Sequence, residues 1–286
     1  MSYVDLHIHS NSSDDGEFSP EELIAICRKH SMKRISVTDH NSVKSVSRAI
    51  EEGRESGIEV ISGIEIDCVY SGRNFHLLGY FFDHTKRVFE EIEDNIIGQE
   101  RAASRLKIAA IKKAINVEIT EEEVFSRALN GIVTGELIGE ILLNKPNAEN
   151  NPLLAPYVNG ERRDMPYVNF YWDYFSQGKV AYVPIKYPTL KEAIDIIHQT
   201  GGVCALAHPA QNLKGEFDLI DSIIDEGIDG IEVFSSYHDD KTADFFLNKA
   251  CERNLIITCG SDFHGKNKPN ITIGSCRLSI SEDKIL

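Results

Sequence analysis

The chain opens on an alternation. Apolar Leu6 and Ile8 are interleaved with Asp5, His7 and His9. In a strand, side chains two apart share a face, so Leu6 and Ile8 pack against an opposite layer while His7 and His9 project together. A loop over 11–16 follows, and Ser19-Pro20-Glu21-Glu22 starts a helix, with a serine cap, proline at the first helical position and glutamate three residues after the cap. Leu23, Ile24, Ile26 and Cys27 supply its buried stripe. Residues 34–38 read as a strand that runs into Asp39-His40. Asn41 caps the next helix, whose inner face carries Val43, Val46, Ala49 and Ile50. Residues 59–66 and 75–82 are two further strands, carrying Glu65 and His76.

The pattern then changes. Residues 86–143 read as helical and charged, an Asn- and Pro-rich loop covers 144–156, and an aromatic run spans 167–175. A mostly α-helical insert over 89–179, lying over the site, accounts for this. The aromatic run reads as the face that docks the insert on its parent domain, with a base-stacking lid as the alternative. Alternation resumes at Ala181. A second capping box, Thr189-Leu190-Lys191-Glu192, opens a helix that ends before Gly201-Gly202. A strand over 203–207 runs into His208-Pro209. Then come a helix over 218–226, a strand over 230–234, a helix over 241–252 and a strand over 255–260. About seven βα units predict an α/β barrel of parallel strands built from 1–88 and 180–286, with its site at the C-terminal ends of the strands.

Composition narrows the classes. The 286 residues, 42% of them hydrophobic, suffice for one large domain with an insert. A net charge of −15 argues against a binder of long duplex nucleic acid or of an anionic membrane. It leaves room for a small phosphorylated substrate, because cations can reverse the local field. The six cysteines show no C-x-x-C spacing and read as reduced thiols, with Cys204 and Cys259 in strand cores. No basic, apolar leader opens the chain and no apolar run reaches the roughly 18 residues of a membrane span. The expectation is a cytoplasmic protein.

The chemistry lies in nine positions: His7, His9, Asp15, His40, Glu65, His76, His208, Asp262 and His264. Singly, each has an ordinary explanation. Asp15 before Gly16 suits a turn, and His76 and His208 suit core histidines with backbone partners. Glu65 is harder to dismiss, since a carboxylate in an apolar strand needs a partner. Together, six of the ten histidines and three carboxylates fall at or near the C-terminal ends of different strands. Imidazole and carboxylate are the donors a borderline divalent ion takes. His30, His84 and His198 lack that placement and read as surface residues.

These motifs, in this order, resemble the PHP family, named for the polymerase and histidinol phosphatase proteins. The shared elements are Asp5-Leu6-His7-Ile8-His9, Asp15-Gly16, Thr38-Asp39-His40, Glu65, His76, Ala207-His208-Pro209 and Ser261-Asp262-Phe263-His264. The resemblance covers roughly 1–85 and 180–278. It implies a distorted (β/α)7 barrel (the PHP fold) and up to three divalent ions, with Mn, Fe or Zn all compatible with the donor set. It also implies a grouping: His7, His9, Glu65 and Asp262 on one ion, Asp15, His40 and His264 on a second, and His76 and His208 on a third, with Glu65 bridging. The implied reaction is hydrolysis of a phosphate ester by activated water. Asp39 and His238 are candidates to assist the leaving group.

An insert between His76 and His208 resembles one PHP branch, whose members remove phosphate from nucleotides such as 3′,5′-bisphosphates or trim RNA from its 5′ end. That branch usually carries an R-P-H-type motif in the insert, where this chain has Ile132-Val133-Thr134-Gly135-Glu136-Leu137-Ile138-Gly139. Arg162, Arg163, Lys179 and Lys186 are the candidate replacement cations. The expected partner is therefore a small phosphorylated metabolite, a nucleotide first and a short RNA second. Two other readings compete. A metal-dependent amidohydrolase also uses His-x-His on a first strand, but often has a bridging lysine where this chain has Glu65. A non-catalytic PHP scaffold would be expected to have lost ligands, and here all nine positions are filled.

Overall fold

The computed structural model describes residues 3–286. The chain divides into two compact units. The first takes in the chain up to Ile92, Tyr187–His264 and Ile271–Leu286; the second comprises Glu93–Lys186 and Gly265–Asn270.

Seven strands form the sheet of the first unit in sequence order: β1 (Val4–Ile8), β2 (Arg34–Val37), β3 (Glu59–Tyr70), β4 (Arg73–Tyr80), β5 (Val203–Leu206), β6 (Gly230–Ser235) and β7 (Ile256–Gly260). The neighbours β1–β2, β2–β3, β5–β6 and β6–β7 are parallel. A bridge between Ile8 and Phe263, just beyond β7, brings the last strand back to the first and nearly closes a barrel. Helices α1 (Pro20–Lys29) and α2 (Val46–Ser56) follow β1 and β2. Leu6, Ile64, Leu77, Leu206, Ile231 and Phe234 belong to its buried core. The alternation predicts the seven strands of this barrel, and the resemblance implies its distortion.

The distortion is specific. β4 runs antiparallel to both β3 and β5. Ser71 and Gly72 join β3 to β4 with positive φ values of 49° and 77°, the geometry that a two-residue hairpin loop needs to match strand twist. Reversal of β4 corrects the expectation that every ligand strand points the same way. His76 lies in the first half of β4, and because β4 is reversed that half sits at the end where the parallel strands finish. Asp67 and His76 are directly paired across the hairpin.

Two local expectations also change. Asn41 does not cap α2, which begins only at Val46. With φ of 55°, its amide instead faces Asp67, donating from Nδ2 to Oδ2 at 2.7 Å and accepting the Asp67 N–H at 3.0 Å. No strand forms over 181–188. Both capping boxes are present, on Ser19/Glu22 and on Thr189/Glu192.

The second unit is helical. It contains most of α3 (Arg87–Ile115), then α4 (Glu121–Phe125), α5 (Gly135–Leu143), α6 (Ala155–Val158) and α7 (Pro166–Tyr174). The aromatic run forms α7 and its C-cap. Phe170 and Phe175 are buried in the core of this unit itself, with Ile138, Ile141 and Tyr157. They serve the unit's own packing, a use that neither sequence reading of the run named. A Cβ on Gly139 would lie 3.0 Å from the Phe170 ring and one on Gly135 would lie 2.7 Å from Phe175, so these two glycines let α5 approach α7. The chain then returns to the first unit with α8 (Leu190–Gln199), α9 (Pro209–Leu213), α10 (Ile220–Ile224) and α11 (Asp240–Glu252). Among the described residues no helix is long and apolar enough to cross a membrane.

Candidate metal centre

Backbone pairing assembles the site from both ends of the chain. The Asp262 N–H donates to the His7 carbonyl at 2.8 Å and the His9 N–H donates to the Phe263 carbonyl at 3.0 Å. His40 and Glu65 are bridged in parallel beyond the end of β2. Asp262 (φ 58°) and His208 (φ 23°) sit in the left-handed region. Such positions cost on the order of 1–3 kcal/mol each and persist where the surroundings over-determine them. Both are candidate ligands.

All nine predicted positions come together, in overlapping groups. His7, His9, Glu65 and Asp262 form one. Within it the two imidazole Nε2 atoms are 3.1 Å apart, Glu65 Oε2 is 3.1 Å from each, and Asp262 Oδ1 is 3.4 and 3.3 Å from them. His9, Asp15, His40 and His264 form a second, with His264 Nε2 3.1 Å from Asp15 Oδ2 and the His9 and His264 rings stacked at 3.9 Å. Glu65, His76 and His208 form a third, in which Glu65 Oε1 lies 2.9 Å from His76 Nδ1 and 3.1 Å from His208 Nε2. A fourth group was not foreseen: Asp67 Oδ1 lies 3.3 Å from His40 Nδ1 and 3.2 Å from His76 Nε2.

The atoms fit cations better than they fit one another. His7 Nδ1 faces Glu232 Oε1 at 2.9 Å and His9 Nδ1 faces the Ser13 hydroxyl at 3.1 Å. If each Nδ1 carries its proton, two Nε2 lone pairs meet at 3.1 Å with carboxylate oxygens beside them. A positive charge between them removes the conflict. No hydrogen bond reaches Glu65 Oε2 or His40 Nδ1, although both atoms are buried, and such a group normally has a partner. Nitrogen and oxygen donors in closed sets of three and four suit a borderline divalent ion.

Without a metal, protons take that role. Burial favours neutral His7, but Glu65, Glu232 and Asp262 outweigh it and hold the imidazole well above its ordinary value. His40 is raised in the same way, against its burial, by Glu65 and Asp67. Burial disfavours ionised Glu65, yet His7, His40 and His76 keep it well below the usual carboxylate range. Asp15 is lowered against its burial, by His264 first.

A surrounding layer holds these side chains in place. Glu232, a buried carboxylate on β6, takes His7 Nδ1 on one oxygen and accepts the His208 N–H at 2.7 Å on the other. Such carboxylates fix ring orientation and raise ligand basicity. Buried Asp5 accepts N–H bonds from His7, Ser261 and Gly274 at 3.3, 2.9 and 2.7 Å, tying β1 to the C-terminal segment. Burial pushes its carboxyl up to about 6. Sequence reasoning passed over Glu232 and Asp67, although a lone carboxylate in an apolar strand, the signal used for Glu65, marks Glu232 equally.

The other candidates are placed differently. Asp39 is buried and accepts from the Ser10 N–H and hydroxyl at 2.6 and 2.7 Å, the Ser13 hydroxyl at 3.3 Å and the Ser45 hydroxyl. It shapes the loop after β1. His238 is half-buried, donates from Nδ1 to the Val233 carbonyl at 2.8 Å and accepts the Ala210 N–H at 3.4 Å. Burial lowers its pKa. Beside it, the Tyr237 hydroxyl donates to Asp262 Oδ2 at 2.5 Å. The four candidate cations all belong to the second unit. Arg162 is committed to Asp173, with two contacts of 3.0 Å, while Arg163, Lys179 and Lys186 are exposed.

A family model described as the PHP domain matches residues 5–232. The chain belongs to the PHP domain family. Among PHP-type relatives, the phosphoribosyl 1,2-cyclic phosphate 1,2-diphosphodiesterase of Eggerthella lenta is 26% identical, over 92% of this chain and 94% of its own. The 5′-3′ exoribonuclease of Haemophilus influenzae is 28% identical, over 91% and 89%. The 3′,5′-nucleoside bisphosphate phosphatase of Chromobacterium violaceum is 24% identical, over 96% and 91%. A crystal structure from Bifidobacterium adolescentis, assigned as a metal-dependent phosphoesterase, superposes with a TM-score of 0.73 at 23% identity, covering 98% of this PHP chain and 93% of that one.

Proposed function

We propose that this protein is a metal-dependent phosphoesterase that removes phosphate from a small nucleotide, with a 3′,5′-bisphosphonucleotide as the leading substrate. The observation that carries the reading is Glu65, whose two oxygens face two separate histidine groups. A carboxylate so placed holds adjacent cations, and adjacent cations are what in-line displacement at phosphorus uses.

His7, His9, Glu65 and Asp262 hold one ion in this reading, and Asp15, His40 and His264, with His9 beside them, hold a second. Glu65, His76 and His208 hold the third. Mn, Fe and Zn all suit these donors. When bound, such ions supply Lewis acidity to a water nucleophile and offset charge on the phosphoryl oxygens. The chain's own residues do the rest. Glu232 orients His7 and the His208 backbone, Tyr237 orients Asp262, and Asp39 fixes the Ser10–Ser13 loop beside His9. Asp39 and His238 are positioning residues here, since their polar atoms are engaged with the backbone and with hydroxyls. Asp67, held by Asn41, extends the donor set toward His40 and His76.

Exposed Arg163, Lys179 and Lys186 are the proposed contacts for a distant phosphate, and Arg162 stabilises the second unit through Asp173. A cytoplasmic location suits a nucleotide substrate and free thiols. The exoribonuclease relative favours a second reading, release of nucleotides from a 5′-phosphorylated short RNA.

The test is hydrolysis by metal-reconstituted full-length protein. The panel holds a 3′,5′-bisphosphonucleotide, nucleoside monophosphates, a ribose cyclic phosphate, histidinol phosphate, sugar phosphates and a 5′-phosphorylated oligoribonucleotide. The bisphosphonucleotide is expected to lead in kcat/KM. Faster mononucleotide release from the RNA would replace the first reading with the second. Silence across the panel with metals bound would overturn both.

A further inference from the structure

Away from the centre, three side chains of different chemistry converge at the other end of the barrel. His198 lies in the last turn of α8, Cys204 near the start of β5 and Asp229 just before β6. His198 Nε2 is 2.7 Å from Asp229 Oδ2, and Cys204 Sγ is 3.5 Å from that oxygen and 3.9 Å from the imidazole nitrogen. Tetrahedral zinc with ordinary bond lengths separates a sulfur from a nitrogen or oxygen ligand by about 3.5 Å, and nitrogen from oxygen by about 3.3 Å. The trio is within about 0.6 Å of that triangle.

Backbone hydrogen bonds tie the scaffold under it together. The Asp229 N–H donates to the Cys204 carbonyl at 3.0 Å and the Cys204 N–H donates back to Asp229 Oδ2 at 2.8 Å. The His198 carbonyl accepts the Gly201 N–H at 3.0 Å, fixing the end of α8. Cys204 is buried, while His198 and Asp229 reach solvent at 39% and 31% side-chain exposure. An ion would therefore sit between a buried sulfur and an open edge where water completes its shell.

We propose that His198, Cys204 and Asp229 form a second metal site, selective for a thiophilic divalent ion such as zinc. One thiolate, one carboxylate and one neutral imidazole balance the charge of a divalent ion. Four residues of extended chain, roughly 13 Å, separate Cys204 from His208 of the main centre. The site pins the end of α8 to the starts of β5 and β6 and stays clear of substrate. Burial pushes the Cys204 thiol well up, so binding requires the metal to displace its proton, which is released to solvent.

Cobalt distinguishes this site from the main centre. Among the described residues, the candidate groups of the main centre contain only nitrogen and oxygen donors. A near-ultraviolet sulfur-to-cobalt charge-transfer band therefore reports on a cysteine site alone. Metal-free full-length protein is titrated with Co²⁺ as wild type, Cys204→Ser and His198→Ala. The expected result is a band saturating at one ion per chain in wild type, absent in Cys204→Ser, and shifted to at least tenfold higher Co²⁺ in His198→Ala. Hydrolysis by the loaded main centre should be unchanged in both variants. Because His198 is partly exposed, its variant keeps the comparison usable if Cys204→Ser misfolds. No band once the main centre is full would leave only a His198–Asp229 ion pair and overturn the site. A band of the same strength in both variants would also overturn it, by assigning the sulfur elsewhere.

Discussion

Glu65 directs Oε1 toward His76 and His208, and Oε2 toward His7 and His9. Glu65→Ala should empty two neighbouring ion positions at once and cut hydrolysis by at least about a hundredfold, since even outer partners of metal ligands cost 10–100-fold. Metal analysis and turnover on the same sample check this; full occupancy with normal turnover would remove the bridge. The histidines add a pH signature. In the metal-free protein, His7 and His40 are raised by their carboxylates. Their coupling stabilises the fold fully below the unfolded imidazole value and is lost as pH rises through the raised folded values. Lowered Glu65 and Asp15 contribute above the carboxylate range and do not change across that window. Metal-free protein should therefore lose stability in denaturant titrations as pH rises above the ordinary imidazole range, and metal-loaded protein should not. Six of the nine candidate positions stand in the local strings H-x-H, D-H, H-P and S-D-x-H, while Asp15, Glu65 and His76 stand outside them. Asp67 and Glu232 stand in no such string and their partners lie on other strands; only the apolar neighbours of Glu232 mark it, as they mark Glu65. His198 reads as a surface histidine from sequence alone, since Cys204 and Asp229 approach it only through strand pairing.

At the scale of elements, the barrel depends on close approach of its first and last strands. A Cβ on Gly260 would fall 2.1 Å from the His7 Cβ and 2.6 Å from Glu232 Oε1. Gly260→Ala should push β7 off β1 and turn the His7 ring. The expected loss is about 1–3 kcal/mol of stability, typical of overpacking, together with weaker metal binding; thermal melts with and without metal would show it. Native metal affinity in that variant would mean that β7 is not what positions His7. Helix starts were legible because capping boxes are written in four residues. The reversal of β4 was missed although Ser71-Gly72 announces a tight hairpin, because regular alternation elsewhere favoured a parallel reading. Asn41 suited a cap by type, yet its amide is spent on Asp67.

At the scale of the molecule, a helical unit with its own core interrupts a barrel whose candidate ligands come from both ends of the chain. The alternation of strand and helix made the barrel legible, and the change in pattern near 86 coincides with the start of α3 at Arg87. The aromatic run could not be placed from sequence, because a stacking face and a core face share one composition; burial of Phe170 and Phe175 assigns those two residues to the second unit's core. The most direct measurement of the central claim is anomalous diffraction from crystals of the manganese-loaded protein. Peaks are expected within the groups around Glu65, one beside His7 and His9 and another beside His76 and His208, with the Glu65 carboxylate between them. A loaded, active crystal with no peak touching Glu65 would contradict that claim.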